Sequence, residues 1–462
     1  MYAVRCEDQL GSATCTADQV TQLNMDSASD QDRRVGDLLD QLSHLREELS
    51  LLNIAIEEES KDDGGRKELL KRVGIASRQL ALASQEPHEA YWDLIRRCSL
   101  ISPIRVAQDM GVFRHLKEHG GTKIEQLADS LGAEECLLVR ILRPLLAEGL
   151  LVKTEQGVYS LTEHGLIYAL PAYEDSCKFA VEFLPVALFN PTFFQQYGYR
   201  EPHSHDGFDT PLAAYFKKPG YGFFDYLRDH PSVQKLFISA MHAQARTQSI
   251  LCSVYDYGAQ FPPVGDDPSA VAIVDVGGSQ GELLLDLRAR YPQIKGRMIV
   301  LDQNSTLQNL LHSPPDGIEL VIHDIFTELP VQGEILPQAS AASRSSFFSS
   351  PLTRQSGLKL GAAVYHLKRI LHDWSDHSAR IILKHVVSAM DPERSKVLIM
   401  DAVLPSADIS LSQAMGDHSM LTFSGKERTE EDWRTFLESV GLVIEHIYQG
   451  SEPEALIECR KA

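Results

Sequence analysis

The chain has 462 residues, of which 43% are hydrophobic and 23% charged, and its formal net charge is −20 at pH 7. A chain of this length is too long for one ordinary hydrophobic core, so we expect two or three domains of a soluble globular protein. The acidic excess argues against nucleic acid or another polyanion as a partner.

Cysteine usage and hydropathy bear on the cellular compartment. The seven cysteines are scattered along the chain and form no CxxC pair. This pattern favours reduced thiols over a disulfide framework or a zinc site. The first 25 residues contain no apolar segment, and no later run approaches the roughly 18 uninterrupted apolar residues of a membrane span. The sequence therefore predicts a cytoplasmic protein that does not span a membrane.

Residues 1–87 are interpreted as an N-terminal extension, disordered over its first 30 residues and helical afterwards. The leucines between Val35 and Leu52 recur at i, i+3 and i+4, which predicts an amphipathic helix with an acidic outer face. This helix either contacts a partner or a second protomer, or packs on its own chain; both interpretations stay open. The DDGG segment at residues 62–65 predicts a break, after which a helix resumes up to Pro87.

Residues 88–170 change to short helices followed by a small hairpin. Two helices come first, and a helix-turn-helix with Gly132 in its turn follows them. The segments Val152–Thr154 and Val158–Leu161 flank a polar turn and are predicted to form a wing. The pattern is that of a winged helix, a fold that often binds DNA.

The charges of the second helix of this motif argue against DNA binding. The helix opens on Glu134 and Glu135 and offers only Arg140 and Arg143 as cations. A helix that enters a DNA groove needs phosphate neutralisation and base donors at its start. We therefore expect no nucleic-acid partner.

Residues 171–250 are rich in aromatic residues, proline and glycine, and we interpret them as a helical and aromatic linker that contributes to the substrate pocket, with irregular chain first and a helical stretch after it. Aromatic side chains beside a nucleotide-binding domain could line a pocket for a flat substrate. They could equally form core between domains, and the spacing alone favours the core.

The rest of the chain, residues 251–462, has the rhythm of an α/β domain. The apolar run VAIVDV that begins at Val271 is typical of a buried parallel strand, and Gly277, Gly278 and Gly281 then lead into a helix. A second strand ends at Asp302, about 20 residues after the turn, where an acid can bind ribose hydroxyls. Strand, glycine turn and helix bring the backbone close to a ligand at a helix N-terminus. The stretch therefore predicts nucleoside binding.

Further strands complete a predicted seven-stranded sheet whose last two strands form a hairpin. Beyond the first two, the predicted strands are Ile318–Ile322, Ala362–Leu367, Lys396–Val403, Leu442–Ile447 and Ala455–Cys459. Helices are predicted from Asp376 to Met390 and from Thr429 to Val440. Residues 331–361 are an irregular, Ser/Ala-rich insert, unusual inside a compact domain. A lid, a disordered insert and an imperfect gene model stay open as explanations, with the lid least favoured.

The segments VDVGGSQG, LDQ, HDIF, YHLKRILHDWSD, IMDAVLP and SGKERTEEDW occur in this order and spacing. Together they resemble the S-adenosylmethionine-dependent O-methyltransferases, above all the caffeic-acid type and its fungal secondary-metabolism relatives. The resemblance covers roughly residues 88–460 and leaves out the insert. It implies a Rossmann-like methyltransferase domain, preceded by an α-helical winged-helix dimerisation domain at 88–170.

The resemblance also implies a general base. Methyl transfer to a phenol requires removal of the hydroxyl proton, and a histidine with a pKa of about 6.5 suits this task near neutral pH. The family places its base at the position of His372, and its orienting acids match Asp401 and Glu427. The first of these acids is Asp where plant members carry Glu, so its side chain is shorter at this position.

The resemblance assigns ligand contacts to positions in the glycine turn, at strand ends and in the aromatic segments. The cofactor contacts are Gly277, Gly278 and Gly281 for the methionine portion, Asp302 for the ribose, Asp324 and Ile325 for the adenine, and Lys368 for a polar contact. The acceptor contacts are Met241, Trp374 and Met420. Ser279 replaces a common glycine of the turn and raises the question of crowding. No His/Asp/Glu cluster has divalent-metal spacing, so no metal is expected.

These observations predict a cytosolic, metal-independent O-methyltransferase that acts, as a homodimer, on a phenolic hydroxyl of a small aromatic metabolite. One alternative is an enzyme that keeps the cofactor but catalyses a dehydration or a pericyclic step without methyl transfer. Another is a non-catalytic regulator of a biosynthetic cluster that binds a transcription factor through its winged helix or N-terminal helix.

Overall fold

The computed structural model describes residues 36, 38–51, 63–202, 209–247, 254–264, 269–303, 306, 317–329, 334–335, 353–354, 361–407, 409–449 and 454–462. The predicted disorder of residues 1–30 and most of the 331–361 insert lie outside this part of the chain. The chain divides into two compact units, Met1–Ser102 and Pro103–Ala462.

The first unit is helical where it is described. Residues 38–51 are helical, and helices α1 (Asp63–Ala83) and α2 (Pro87–Arg97) follow. The helix predicted from the leucine spacing is thus present, with Leu39, Leu42 and Leu49 exposed. Gly64 and Gly65, predicted to lie in a break, belong to the first turn of α1 instead.

A winged helix follows, and all of it except Ile101 and Ser102 belongs to the second unit. Its elements are helices α3 (Ile101–Met110), α4 (Val112–His119), α5 (Ile124–Leu131) and α6 (Glu135–Ala147), and strands β1 (Thr122–Lys123), β2 (Leu151–Lys153) and β3 (Val158–Leu161). Gly132 ends α5 in the left-handed conformation, with φ 62°. The strands form an antiparallel sheet of order β1-β3-β2, so the predicted wing is present. The two-residue strand β1 was not predicted, because it is too short to carry an alternating pattern.

The aromatic segment is helical where it is described, so the helical stretch expected at its end is present, but the prediction that its first part is irregular chain was wrong. Helix α7 (Glu163–Leu166) comes before this segment. Helices α8 (Pro171–Tyr197), α9 (Pro211–Phe216), α10 (Phe223–Asp229) and α11 (Pro231–Thr247) cover most of the segment itself. Pro171 occupies the first turn of α8, and Gly198 caps its end with φ 88°. Pro185 and Pro191 lie inside α8. Because proline is typical of loops and helix ends, these two residues made the sequence of a continuous helix resemble that of a loop.

The remaining chain forms one large sheet with helices on both faces. After the short helix α12 (Tyr257–Gln260), its strands are β4 (Val271–Val276), β5 (Arg297–Asp302), β6 (Ile318–Ile322), β7 (Glu334–Ile335), β8 (Thr353–Arg354), β9 (Val364–Lys368), β10 (Lys396–Leu404), β11 (Arg428–Thr429), β12 (Leu442–Gln449) and β13 (Glu454–Lys461). The order along the sheet is β12-β13-β10-β9-β4-β5-β6-β7-β8, and β11 pairs with β10. The seven predicted strands are all present, and the last two form the predicted antiparallel hairpin. The two-residue strands β7 and β8 extend the far edge within the insert.

The topology reverses direction at the centre of this sheet. The chain runs outward from β4 to β5 and β6, and then returns to place β9 on the other side of β4, parallel to it. Ligands of open α/β sheets bind at such a switch point, beyond the carboxyl ends of the strands. Helices α13 (Glu282–Arg290), α14 (Asp376–Ala389), α15 (Leu411–Met420) and α16 (Glu430–Glu438) complete the unit. Two apolar clusters, one on each face, bury the sheet.

Among the described residues, no helix combines the length and the apolar character needed to cross a membrane.

Candidate active site

A cavity of about 1250 Å³ lies at the switch point, beyond the carboxyl ends of β4 and β9. Its floor is formed by the glycine turn and the segment that follows β9, and its roof by helices α8, α10, α11 and α15. A smaller cavity of about 540 Å³ adjoins it, since Phe224, Gln303 and Trp374 line both. The aromatic side chains of the roof therefore serve as core and as cavity wall together.

The glycine turn presents backbone to the cavity. Gly277 has φ 74° and Ser279 has φ 50°, so two of three successive residues are in the left-handed region. A Cβ at Gly278 would lie 2.4 Å from Asp275 Oδ2, so no larger side chain fits there. Gly281 has φ 77° and is the N-cap residue of the helix that starts at Glu282. It does not line the cavity, although its neighbours Gln280 and Glu282 do.

Two buried acids line the cavity beside the turn. Asp302 accepts hydrogen bonds from Ser279 N (2.9 Å, at Oδ2) and Gln303 N (2.7 Å, at Oδ1). Burial raises the pKa of Asp302, and these N–H donors oppose that rise. Burial raises the pKa of Asp275 to about 7. A carboxylate with two oxygens can accept further bonds, so Asp302 retains acceptor capacity for hydroxyl groups in the cavity.

The remaining predicted cofactor positions are divided between the two cavities. Ile325 is buried and lines the larger one, whereas Asp324 is exposed and lines the smaller one. The Asp324 carboxylate accepts a hydrogen bond from Phe326 N at 3.0 Å. Lys368 lines the larger cavity, and burial lowers its pKa.

The imidazole of His372 lies in the turn Leu371–Asp373 that follows β9. Its Nδ1 is 2.7 Å from Glu427 Oε1, and its Nε2 is 3.6 Å from Asp373 Oδ1. Both His372 and Glu427 line the larger cavity. The bond to a carboxylate assigns the proton to Nδ1 and leaves Nε2 as the reactive nitrogen of the neutral ring.

Asp401 is fully buried within β10 and makes no hydrogen bond to the imidazole. Its Oδ2 accepts from Leu371 N at 3.2 Å, and its Oδ1 has no hydrogen-bond partner in the described part of the chain. Asp401 therefore anchors the backbone just before His372, and it acts on the ring through its charge.

Three carboxylates dominate the electrostatics of His372. Burial lowers the pKa of His372, but the charge of Asp373, the hydrogen bond to Glu427 and the charge of Asp401 outweigh burial and raise it to about 10. Burial in turn raises the pKa of Asp373 to about 6 and that of Asp401 to about 7. The site as it stands thus favours the imidazolium form.

The predicted acceptor residues Met241, Trp374 and Met420 all line the larger cavity. Trp374 stacks on Phe224 with ring centroids 5.4 Å apart. The structure thus brings ten of the thirteen predicted site residues to this cavity, the exceptions being Gly281, Asp324 and Asp401.

Sequence reasoning missed other polar residues of the site. Asp373 approaches the imidazole directly, and its place next to His372 was the available signal. The Asp417 carboxylate accepts a hydrogen bond from Glu427 N at 3.0 Å, a contact across ten residues that no pattern indicates.

Comparison with known proteins gives two matched domains and a set of fungal relatives. An O-methyltransferase domain matches residues 354–443, and an O-methyltransferase dimerisation domain matches residues 92–170. The O-methyltransferase kntB of Aspergillus niger is 28% identical over 79% of this chain and 82% of its own length. The demethylsterigmatocystin 6-O-methyltransferase of Aspergillus parasiticus is 29% identical over 80% and 89%.

Solved structures agree with the fold. LepI in complex with S-adenosylmethionine superposes with a TM-score of 0.74 at 26% identity, over 90% of this chain and all of that one. A structure described as a pericyclic reaction enzyme superposes with a TM-score of 0.73, also at 26% identity and over the same 90% and 100% of the two chains. OxaC, at 20% identity and a TM-score of 0.73 over 91% of this chain, shares the fold.

The fold and the two matched domains define a methyltransferase preceded by a dimerisation domain. The chain is an S-adenosylmethionine-dependent O-methyltransferase, similar to those of fungal secondary metabolism. The predicted resemblance, fold class and cofactor class are confirmed. The roles of the individual site residues and the absence of a metal stay predictions.

Proposed function

We propose that this protein transfers a methyl group from S-adenosylmethionine to a hydroxyl of a small aromatic, phenolic or polyketide-type metabolite, with His372 as the general base. The observation that carries the proposal is the Nδ1–Oε1 contact of 2.7 Å between His372 and Glu427, on the wall of the cavity that the glycine turn also lines. The dimerisation domain supports a homodimer as the working form.

The residues of the glycine turn suit the cofactor. The left-handed turn and the crowded position of Gly278 let the backbone approach the methionine portion, and the Asp302 carboxylate can accept the ribose hydroxyls. The buried Ile325 offers an apolar face for the adenine, and Lys368 a polar contact. When bound, S-adenosylmethionine supplies an electrophilic methyl group and the positive charge of its sulfonium.

The proton of the acceptor hydroxyl passes to Nε2 of His372. Glu427 holds the ring through Nδ1, fixes the tautomer and stabilises the imidazolium that forms. For Nε2 to accept a proton, the ring must first be neutral, although its three acidic neighbours raise its pKa to about 10. A positive charge near the ring opposes these acids, so the pKa of His372 falls when the cavity holds a cation.

The walls of the cavity suit a flat, apolar acceptor. Phe179, Phe183 and Phe237 line it together with Met241 and Met420. Aromatic faces and flexible thioethers pack well on planar rings. The curated relative that methylates demethylsterigmatocystin supports an aromatic metabolite as acceptor.

The test is methyl transfer itself. The purified protein, incubated with S-adenosylmethionine labelled in the methyl group and a panel of phenolic metabolites, should form labelled product and S-adenosylhomocysteine in equal amounts. His372→Ala should lower this rate by roughly 10²–10⁴-fold, the usual contribution of a general base. An unchanged rate would remove His372 from the mechanism. His377→Ala is the matched control, because His377 is an exposed histidine of α14.

A second candidate is a dehydration or pericyclic step without methyl transfer. Two observations favour it: the likeness to a structure described as a pericyclic reaction enzyme, and the acidic surroundings that make His372 a proton donor. Product formation with S-adenosylmethionine left intact would select this candidate. Formation of S-adenosylhomocysteine in step with product would exclude it.

A further inference from the structure

Arg428 joins the two segments that carry His372 and Glu427. Its side chain is fully buried, and all five of its N–H groups have acceptors. Nη1 donates to Leu371 O (3.1 Å) and Lys426 O (3.2 Å), and Nη2 donates to Trp374 O (3.2 Å). Nη2 and Nε both donate to Asp376 Oδ1, at 2.7 and 3.0 Å.

These contacts lie on both sides of the catalytic imidazole. Leu371 O and Trp374 O bracket His372 along the chain, and Lys426 O lies immediately before Glu427. A backbone bond reinforces the junction, because Lys426 N donates to His372 O at 2.8 Å. The segments touch closely: a Cβ at Gly425 would lie 2.5 Å from His372 O.

The guanidinium is itself held in place. It lies 5.1 Å from the ring centroid of Trp433 and 4.8 Å from that of Phe436, both on α16. Contacts with aromatic faces at this range restrict the guanidinium and hence the directions of its donors. A lysine has three donors on a flexible stem and cannot reproduce this set.

We infer that Arg428 is a positioning residue for the reaction: it fixes the backbone around His372 and thereby the geometry of the His372–Glu427 pair. This inference rests on the proposed function, which makes that pair the reacting base and its orienting acid. Arg428 lies outside the residues that line the cavity, so it acts through the two segments and not on the ligands.

The test compares Arg428→Lys with Arg380→Lys. Arg380 lies 5.6 Å from the same Phe436 ring and donates to Asp376 O and Ser439 Oγ, but its hydrogen bonds do not include the backbone carbonyls of 371, 374 or 426. Arg428→Lys should lower kcat roughly 10²-fold, the effect of a misplacement of about 1 Å, with KM for the acceptor and calorimetric affinity for S-adenosylmethionine kept within about 3-fold. Arg380→Lys should keep wild-type kinetics.

A readout independent of turnover separates this inference from the proposed function. The titration of the His372 ring, followed by NMR in protein labelled at histidine, should shift to lower pH in Arg428→Lys and stay unchanged in Arg380→Lys. Should the protein not transfer methyl groups, this shift would still support the positioning role. An unshifted titration in a folded Arg428→Lys variant overturns it.

A milder variant covers the case in which Arg428→Lys does not fold. The side chain of Asp376 is 44% exposed and accepts two of the five hydrogen bonds from Arg428. Asp376→Asn should therefore weaken the hold on Arg428 without removing a buried side chain. We expect a loss of kcat of about 3- to 10-fold and a smaller shift of the His372 titration in the same direction. Equal losses of kcat and of cofactor affinity, with no shift of the titration, would mean that Arg428 serves the fold alone.

Discussion

Glu427→Gln tests the electrostatics of the site most directly. The Glu427 side chain is only 8% exposed, and its Oε1 lies 2.7 Å from His372 Nδ1. Gln keeps the shape and an acceptor oxygen but removes the negative charge. An opposite charge at this range raises the pKa of a cationic group by about 1–3 units, so the pKa of His372 should fall by that amount from about 10.

The same change bears on stability. Because the pKa of His372 in the folded protein is above its ordinary value, the protonated ring stabilises the fold fully below about pH 6.5. That contribution is lost as the pH rises towards about 10. Removing the Glu427 charge should cost about 1.4–4 kcal/mol of the free energy of unfolding near neutral pH, and nothing once the ring is neutral in both proteins.

The assay is the pH dependence of kcat/KM, which reports the free enzyme. A base must be unprotonated, so kcat/KM should rise with pH in the wild type and reach its plateau at lower pH in Glu427→Gln, by about 1–3 units. The plateau should also fall, because Gln stabilises the developing imidazolium less well. Glu431→Gln, an exposed neighbour on α16, is the control. Superimposable profiles for wild type and Glu427→Gln would refute the reasoning.

Two further predictions concern the glycine turn. Asp302→Ala should weaken S-adenosylmethionine binding by about 10- to 100-fold in calorimetry, because the variant loses the acceptor for the ribose hydroxyls and for Ser279 N; unchanged affinity would place the ribose elsewhere. Ser279→Gly should raise the free energy of unfolding by about 1 kcal/mol in denaturant titration, because a side chain at φ 50° is strained. A loss of stability in that variant would show that the serine side chain makes a compensating contact.

The strands of the large sheet could be predicted from the sequence because both faces of the sheet are buried. Parallel strands covered on both faces are continuous apolar runs, and VAIVDV at Val271–Val276 is such a run with all six residues buried. Helix α8 was not predictable in the same way. Pro185 and Pro191 are locally typical of helix breaks, whereas the packing of Phe179 and Phe183 on rings of α11 and α10 favours the helix and offsets the lost backbone bonds.

The site was predictable only in part. Residue patterns indicated the glycine turn and Asp302, since both belong to one strand–turn–helix unit and the next strand. The pairing of His372 with Glu427, 55 residues apart, followed from the family resemblance and from no periodicity. Arg428 stands beside Glu427 in the same motif, yet its role depends on four acceptor atoms that the fold brings together.

The charges of the cavity connect these observations. The carboxylates that line it belong to Asp275, Glu282, Asp302, Asp373, Glu427 and Glu454. The cations Lys368 and Arg369 oppose them, and Arg369 pairs with Glu454. Such a lining favours a positive charge inside, and the imidazolium of His372 is one positive charge that the protein itself provides there. A sulfonium would compete with the imidazolium for the same carboxylates. Under the proposed function, occupation of the cavity by a cationic cofactor should therefore lower the pKa of His372, because the cofactor offsets the acids that keep the ring protonated in the free protein. The neutral ring that a base requires is then favoured in the complex.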